Sequence, residues 1–471
     1  MSAFRELPGG VRKRSEPDEV HPRAVRLNGV SLSRSAGYSD EKSAVIYYIY
    51  APLNGSGTAA FVRLPGRTRD FLFRRPIIMD LSALQFAHRF DHVSGSAIRE
   101  IFKIIAKPGM ISFAGGNPSL AALPDEQVTE LAVQVMKDHG KQLLQYGATE
   151  GYPPFVESLK QYIEDHIGFH TESVLPVTGS TQAMDLLCKA LLDPGDTVLV
   201  ENPSFLGNLQ CMKLYEAHLI PVSSDENGMD PDDLECKIRE YHPKMVYTIP
   251  TFQNPSGRTL TLERRKKVAA LASEYGVIIA EDDPYRDLRY RGEMLPAIKS
   301  FDRDGWVVFF GSFSKIISPG LRVGYMAGNA EIIRKCTVGK QSSDVHTANL
   351  NQAIVDQFIR RNLLPEHIRT ICTGYANKME CMMNHLSDLS DIASFTRADG
   401  GLFIWVELPE NMNALELLKK AIDQGVAYVP GTHFYVDGKH ENTLRLNFSN
   451  STDDQINHGM TILKKIFRDA K

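Results

Sequence analysis

From about residue 80 to the C-terminus, short runs of β-branched, aliphatic and aromatic residues alternate with longer amphipathic stretches. The runs at 197–200, 245–249, 277–280, 307–310 and 323–327 are almost continuously apolar, as expected of parallel strands covered on both faces. Between two of them, Thr261 can cap a helix in which Val268, Leu271, Ala272 and Tyr275 fall at i, i+3, i+4 and i+7, with Gly276 placed to end it. That is one βαβ crossover, and it predicts an α/β fold with a mostly parallel sheet. In open sheets of this kind functional groups gather beyond the strand C-termini. Four of those ends are unusually polar.

Residues 1–78 read differently. Gly, Pro, Ser and Arg recur, and apolar patterning does not persist beyond a short stretch at 45–50, so little regular structure is expected there. The net charge of 1–78 is +6, against −10 for the remainder, within a total of −4. A mildly acidic body gives no reason to expect a polyanionic partner. At 471 residues the chain exceeds a typical single domain, which predicts two domains and a cleft between them.

The apolar run at 44–53 is about half of the ~20 residues needed to span a bilayer. Glu16, Asp18 and Glu19 argue against a transit peptide. Cys188, Cys211, Cys236, Cys336, Cys372 and Cys381 are scattered without metal-ligand spacing. No metal is expected, and reduced thiols in a cytoplasmic compartment are.

After the run ending in Ala280 comes Glu281-Asp282-Asp283-Pro284-Tyr285. It can be a solvated loop with Pro284 as turn former, or a carboxylate for a cationic heterocycle with a phenol for an adjacent oxygen. After Phe310 comes Gly311-Ser312-Phe313-Ser314-Lys315, with Arg322 seven residues beyond the lysine. Small hydroxyls and apolar neighbours can desolvate Lys315 and make it a nucleophilic amine; the hydroxyls and Arg322 make a phosphate cradle. After Ile249, Asn254-Pro255 and Gly257 set a rigid turn that can aim an amide at a ligand. Gly179-Ser180-Thr181 opens a helix, where free N–H groups suit a phosphate and either hydroxyl can equally serve as a cap.

The order and separation of Asn-Pro, Asp-Asp-Pro-Tyr and Ser-x-Ser-Lys with its trailing Arg resemble fold-type-I pyridoxal-phosphate aminotransferases. The resemblance is to the branch of kynurenine/2-aminoadipate and aromatic aminotransferases, and it covers roughly residue 80 to the C-terminus. It implies pyridoxal 5'-phosphate as cofactor, amino acids and 2-oxo acids as substrates, 2-oxoglutarate among them, and a homodimer. By position, Lys315 matches the lysine that holds the cofactor covalently, Asp282 the partner of the pyridinium nitrogen, and Asn254 and Tyr285 the groups on the phenolic oxygen. Ser180, Thr181, Ser312, Ser314 and Arg322 match the phosphate cup, and Tyr146 a tyrosine reaching the phosphate of the partner subunit. Arg445 matches the arginine that grips the substrate carboxylate. Phe205 occupies the ring-stacking position, where this branch often has tyrosine; stacking needs only the ring face. Gly115 and Gly116 resemble the glycine pair lining the substrate pocket, and Arg99 a mobile arginine at its mouth.

The resemblance divides the chain into an N-terminal extension (1–78), a segment packing with the small domain (79–123), a large cofactor-binding domain (124–340) and a small C-terminal α/β domain (341–471). A β-lyase of the same fold shares this apparatus. A cofactor-sensing transcription regulator would need a helix-turn-helix pattern in 1–78, which is missing from that sequence.

Overall fold

A computed structural model of the chain describes residues 25–27, 30–33, 47–50, 60–62, 84–91, 93, 109–171 and 173–471. The chain divides into two units, Met1–Gln85 and Phe86–Lys471. In the first, where the sequence pattern predicts little regular structure, Val25–Leu27, Val30–Ser33, Tyr47–Tyr50 and Ala60–Val62 form an antiparallel sheet in chain order. Strands of three or four residues put at most two positions on each face, too few for apolar alternation to signal them.

The second unit is built on a seven-stranded sheet. In chain order its elements are β1 (Val174–Val177), α1 (Ser180–Leu191), β2 (Thr197–Glu201), α2 (Leu206–Leu214), β3 (His218–Val222), α3 (Pro231–Tyr241), β4 (Met245–Thr248), α4 (Leu262–Tyr275), β5 (Ile278–Asp282), β6 (Val307–Ser312) and β7 (Gly324–Ala327). The spatial order is β1-β7-β6-β5-β4-β2-β3. Pairings β3–β2, β2–β4, β4–β5 and β5–β6 are parallel, while β7 runs antiparallel to both β6 and β1. The run at 323–327, expected to be parallel, is thus the one reversed strand. Continuous apolarity reports burial on both faces and is blind to direction.

Strand alternation sorts the core into two layers. Leu199, Val246, Ile279 and Val307 face one cluster with Leu234 and Ile238 of α3 and Val268, Leu271 and Ala272 of α4. Val198, Val200, Met245, Tyr247, Ala280 and Val308 face the other, with Met184 and Leu187 of α1 and Leu209 and Met212 of α2. The crossover helix α4 is bounded as its sequence requires: the Thr261 side chain accepts from Arg264 N, and Gly276 closes the helix at φ +64°.

Toward the C-terminus, β8 (Ser394–Phe395), β9 (Phe403–Glu407), β10 (Val429–Pro430) and β11 (Thr443–Asn447) form a second, antiparallel sheet of order β8-β9-β11-β10. The stretch at 111–113 joins this part of the chain: Phe113 N donates to Ala427 O at 2.8 Å and Asn447 N to Phe113 O at 2.8 Å. Among the described residues no helix is long and apolar enough to cross a membrane.

Leu271→Ala is expected to cost about 2–5 kcal/mol of unfolding free energy through the cavity it leaves, and Thr261→Ala about 1 kcal/mol through loss of the cap. Chemical denaturation of the two variants checks this ranking.

Candidate active site

Parallel register brings Glu201, Thr248, Asp282 and Ser312 to one edge of the sheet, since Thr248 pairs with Glu281 and Asp282 with Phe310. The acid cluster at the end of β5 is buried throughout: Glu281, Asp282 and Asp283 are 0, 2 and 3% exposed, so it is not a solvated loop. Period-two alternation then separates the acids. Glu281 follows Ile279 to the α3/α4 face, where its carboxylate accepts from Ile298 N at 2.7 Å and Lys299 N at 2.8 Å. Asp282 follows Ala280 to the α1/α2 face, where Oδ2 accepts from Tyr247 Oη at 3.1 Å and Asn208 Nδ2 at 3.2 Å. Its Oδ1 is buried without a partner. Burial pushes the Asp282 carboxyl up to about 7; the Tyr247 hydrogen bond pulls it down, the Asp283 charge adds to the rise, and Ser180 and Asn208 oppose it.

The loop after β6 carries Lys315, which is partly buried and donates from Nζ to Gly116 O at 2.8 Å. Burial lowers its ammonium to about 8, aided by the positive charges of Arg445 and Arg322 and opposed by Asp282. With a pKa of about 8, roughly a tenth of the amine is the neutral nucleophile near pH 7, far more than for an exposed lysine. Arg322 closes this corner, donating to Thr178 O at 2.9 Å and to Ser314 Oγ at 3.5 Å. Gly179 lies at φ +84°, and a Cβ there would collide with the Arg322 guanidinium, so only glycine lets arginine and helix entrance meet. Neither Ser180 nor Thr181 caps α1; their hydroxyls stand at a helix N-terminus with open N–H groups.

A second group converges from the C-terminal sheet. Arg445, 3% exposed, donates from Nη1 to Asn254 Oδ1 at 2.7 Å and from Nη2 to Ala114 O at 2.6 Å, and its Nε has no partner. Its guanidinium lies over the rings of Phe403 at 4.3 Å and Phe434 at 5.0 Å. Burial lowers it to about 10, so it stays charged at neutral pH. Asn254 Nδ2 donates to Tyr285 Oη at 3.3 Å. The Tyr285 phenol is raised to about 12 by burial, against the pull of Arg445 and of the Asn254 hydrogen bond. Lys315 Nζ stands 5.9 Å from the Tyr285 ring centre, which joins the two groups into one site.

Residues 108–463 match the family model described as aminotransferase class I and II. The chain belongs to this family. It is 37% identical to aromatic-amino-acid aminotransferase 1 of Thermococcus litoralis over 82% of this chain and 94% of that protein, and 36% identical to 2-aminoadipate transaminase of Thermus thermophilus over 81% and 96%. A solved structure of Pyrococcus horikoshii kynurenine aminotransferase, in complex with PMP and with KYN and KYA as substrates and products, superposes with a TM-score of 0.79. It is 37% identical and aligns over 82% of this chain and 97% of that one. This aminotransferase therefore depends on pyridoxal phosphate.

The residues present fit that cofactor. The partnerless Asp282 Oδ1 offers an acceptor to a protonated ring nitrogen, and the hydroxyls and Arg322 at the α1 entrance offer donors to a phosphate. Phe205 directly precedes α2, with its ring over the first turn, where a Cβ on Gly207 would stand 2.7 Å from ring atoms. Ser312 Oγ accepts from Ser314 N at 3.2 Å, which ties it to the loop backbone. Gly115 lies between the two carbonyls that receive Arg445 and Lys315.

Tyr146 is 81% exposed, edge-on to His346 at 6.1 Å; none of its hydrogen bonds reaches the other site residues. Arg99 lies outside the described residues. Sequence reasoning missed Tyr247 and Asn208, which hold Asp282. Tyr247 did carry a signal: a phenol inside a buried strand must find a polar partner, and it shares parity with Ala280. Asn208, on a helix, carried none.

In the cofactor-free protein, labelling of Lys315 by an amine-directed reagent is expected to rise with pH through about 8, because only the neutral amine reacts, whereas exposed lysines rise through about 10.4. Peptide mapping of label against pH checks this. A Lys315 curve that follows the exposed lysines would contradict the desolvation argument.

Proposed function

We propose that this aminotransferase moves the amino group of an L-amino acid of aromatic, 2-aminoadipate-like or aliphatic kind to a 2-oxo acid such as 2-oxoglutarate. One observation carries the reading. Lys315 and Arg445 dock on Gly116 O and Ala114 O, carbonyls two residues apart, so an amine and a buried guanidinium converge on one spot. An α-amino acid presents a reacting carbon directly beside a carboxylate, the two features that such a pair can serve.

Pyridoxal phosphate, when bound, supplies a covalent carrier for the amino group and an electron sink for the Cα–H bond. Lys315 would hold it, and the Lys315 Nζ, when free and neutral, would take the proton from Cα. Asp282, oriented by Tyr247 and Asn208, keeps the ring nitrogen protonated through Oδ1. Asn254 and Tyr285 donate to the phenolic oxygen. Ser180, Thr181, Ser312, Ser314 and Arg322 bind the phosphate, and Phe205 stacks on the ring. Arg445 takes the α-carboxylate through two parallel hydrogen bonds, a geometry that lysine cannot reproduce. Gly115 and Gly116 leave room for the substrate. The names of the relatives support the aromatic and 2-aminoadipate classes of donor.

In this reading the active form is a homodimer in which Tyr146 reaches the partner's phosphate site; the exposure of Tyr146 supports that role. Six free cysteines support a reducing, cytoplasmic compartment. In the same reading the chain comprises an N-terminal extension (1–78), a segment packing with the small domain (79–123), a large domain (124–340) and a small domain (341–471); the family match at 108–463 leaves the extension outside it.

Lys315→Ala is expected to abolish transamination. Arg445→Ala is expected to raise KM for amino acid and oxo acid alike, at a cost of about 2–5 kcal/mol in kcat/KM, with the cofactor spectrum little changed. Ordinary turnover in Lys315→Ala, or an unmoved KM for both substrates in Arg445→Ala, would displace these assignments. Single-turnover spectra against a panel of amino acids identify the donor.

A chain beginning at Met79 is expected to fold, dimerise and bind cofactor, with kcat and KM close to those of the full chain. Loss of dimerisation or cofactor binding would place residues 1–78 within the catalytic body.

A further inference from the structure

Between the loop that carries Phe205 and the loop that carries Asn254 lies a buried polar link that neither the phosphate cup nor the carboxylate grip uses. Glu201, the last residue of β2, is 3% exposed, and its Oε2 accepts from Ile249 N at 2.8 Å and from Gln253 Nε2 at 3.3 Å. The same Gln253 amide donates to Pro203 O at 2.7 Å, on the Phe205 side. Gln253 Oε1 accepts from Ser256 N at 2.8 Å and Ser256 Oγ at 2.6 Å, on the Asn254 side. Gln253 is itself 4% exposed and immediately precedes Asn254. One side chain thus bonds to both loops at once, and the Glu201 carboxylate fixes where it stands. The Pro203 side is also anchored to the C-terminal part of the chain, where Ser204 N donates to Phe434 O at 2.8 Å beneath Arg445.

We infer that Gln253, clamped by Glu201, is a positioning residue that sets the Phe205 ring and the Asn254 amide at a fixed separation, and so aligns cofactor stacking with the grip on the phenolic oxygen and on Arg445. This rests on the roles proposed above for Phe205 and Asn254. The physical case is that all these polar atoms are buried: breaking the link leaves donors and acceptors without water to replace it, and each loop is then free to settle separately. Burial raises the Glu201 carboxyl to about 7, opposed by the hydrogen bonds from Ile249 and Gln253 and by the charge of Arg258. What the link requires of residue 201 is therefore an acceptor oxygen, with or without a full charge.

Four measurements on the purified enzyme test this: the dissociation constant of pyridoxal phosphate from fluorescence of the cofactor-free protein, the visible circular dichroism of the bound cofactor, KM and kcat. Gln253→Leu is expected to weaken cofactor binding and raise KM for both substrates by about tenfold each, as for one lost buried hydrogen-bonding group, and to diminish the dichroic band, which reports ring orientation. Glu201→Leu should do the same, and Glu201→Gln, which keeps an acceptor, should restore most of the loss. In an Asn254→Ala background Gln253→Leu should add much less than its tenfold effect on KM, because residues acting through one another are not additive.

Multiplicative effects in that cycle, or an unchanged dichroic band with only lowered thermal stability, would overturn the inference and leave Gln253 a fold residue. If Phe205→Ala and Asn254→Ala leave binding, dichroism and KM normal, it is the site reading that fails; if they act and Gln253→Leu does not, the positioning role alone fails. Should Gln253→Leu not fold, Ser256→Ala, which removes one hydroxyl from the link, is expected to shift dichroism and KM in the same direction by a smaller factor. No shift in that variant would count against the role.

Discussion

Because β4 is held against β5 from Met245–Ile278 to Thr248–Glu281, and β5 against β6 up to Asp282–Phe310, the loops of three strands leave the sheet at one level. Parallel hydrogen bonding makes this alignment a property of the backbone, and burial on both faces makes slippage costly, since a shift by one residue would turn every side chain to the opposite layer. A slipped β5 would point Glu281 at α2 and send Asp282 toward α4. The site exists in its present form because the register does not slip. The reversed strand β7 serves the same edge: its first residue, Gly324, pairs with both Ser312 and Val177, which brings Arg322 to the entrance of α1.

At that edge the protein buries more charge than a fold needs for stability. Three of the desolvated acids are answered by hydrogen bonds: Glu281 by two backbone N–H groups, Glu201 by a backbone N–H and an amide, Asp282 by a phenol and an amide on one oxygen only; Asp283 has neither oxygen hydrogen-bonded and lies 3.6 Å from Arg286 Nη1. Arg265, fully buried, braces the neighbouring turn through Leu260 O, Pro250 O and Thr251 Oγ1. Among the buried polar atoms left without a partner, two belong to residues of the candidate site. The partnerless oxygen of Asp282 and the unpaired Nε of Arg445 are the kind of buried polar atoms that stay open when a ligand is meant to complete them. The same lack of water that makes them costly lowers Lys315 into the range of a working base.

Much of this is legible in the residue order alone. Apolar runs locate the central strands to within a residue or two, Thr261 and Gly276 mark both ends of α4, and the polar strand ends name Lys315, Asp282, Asn254 and Arg322. These features are local: caps, turns and strand burial depend on neighbours a few residues away, and the identity of the residue type carries the physics. The short strands within 25–62 and the direction of β7 are not legible, because short alternation and two-sided burial look alike whatever the strand's length or sense.

By itself, then, the sequence determined which residue types stand at the ends of the buried strands and what chemistry they can do. Which of three adjacent acids faces α2 was decided by tertiary structure, through strand parity. So was the support of Asp282 by Tyr247 and Asn208, 35 and 74 residues away in the chain, and the meeting of Arg445 with Asn254 across 191. Contacts at such separations leave no periodic trace in a single sequence. They arise only when parallel register and the packing of the C-terminal sheet bring distant loops to the same edge.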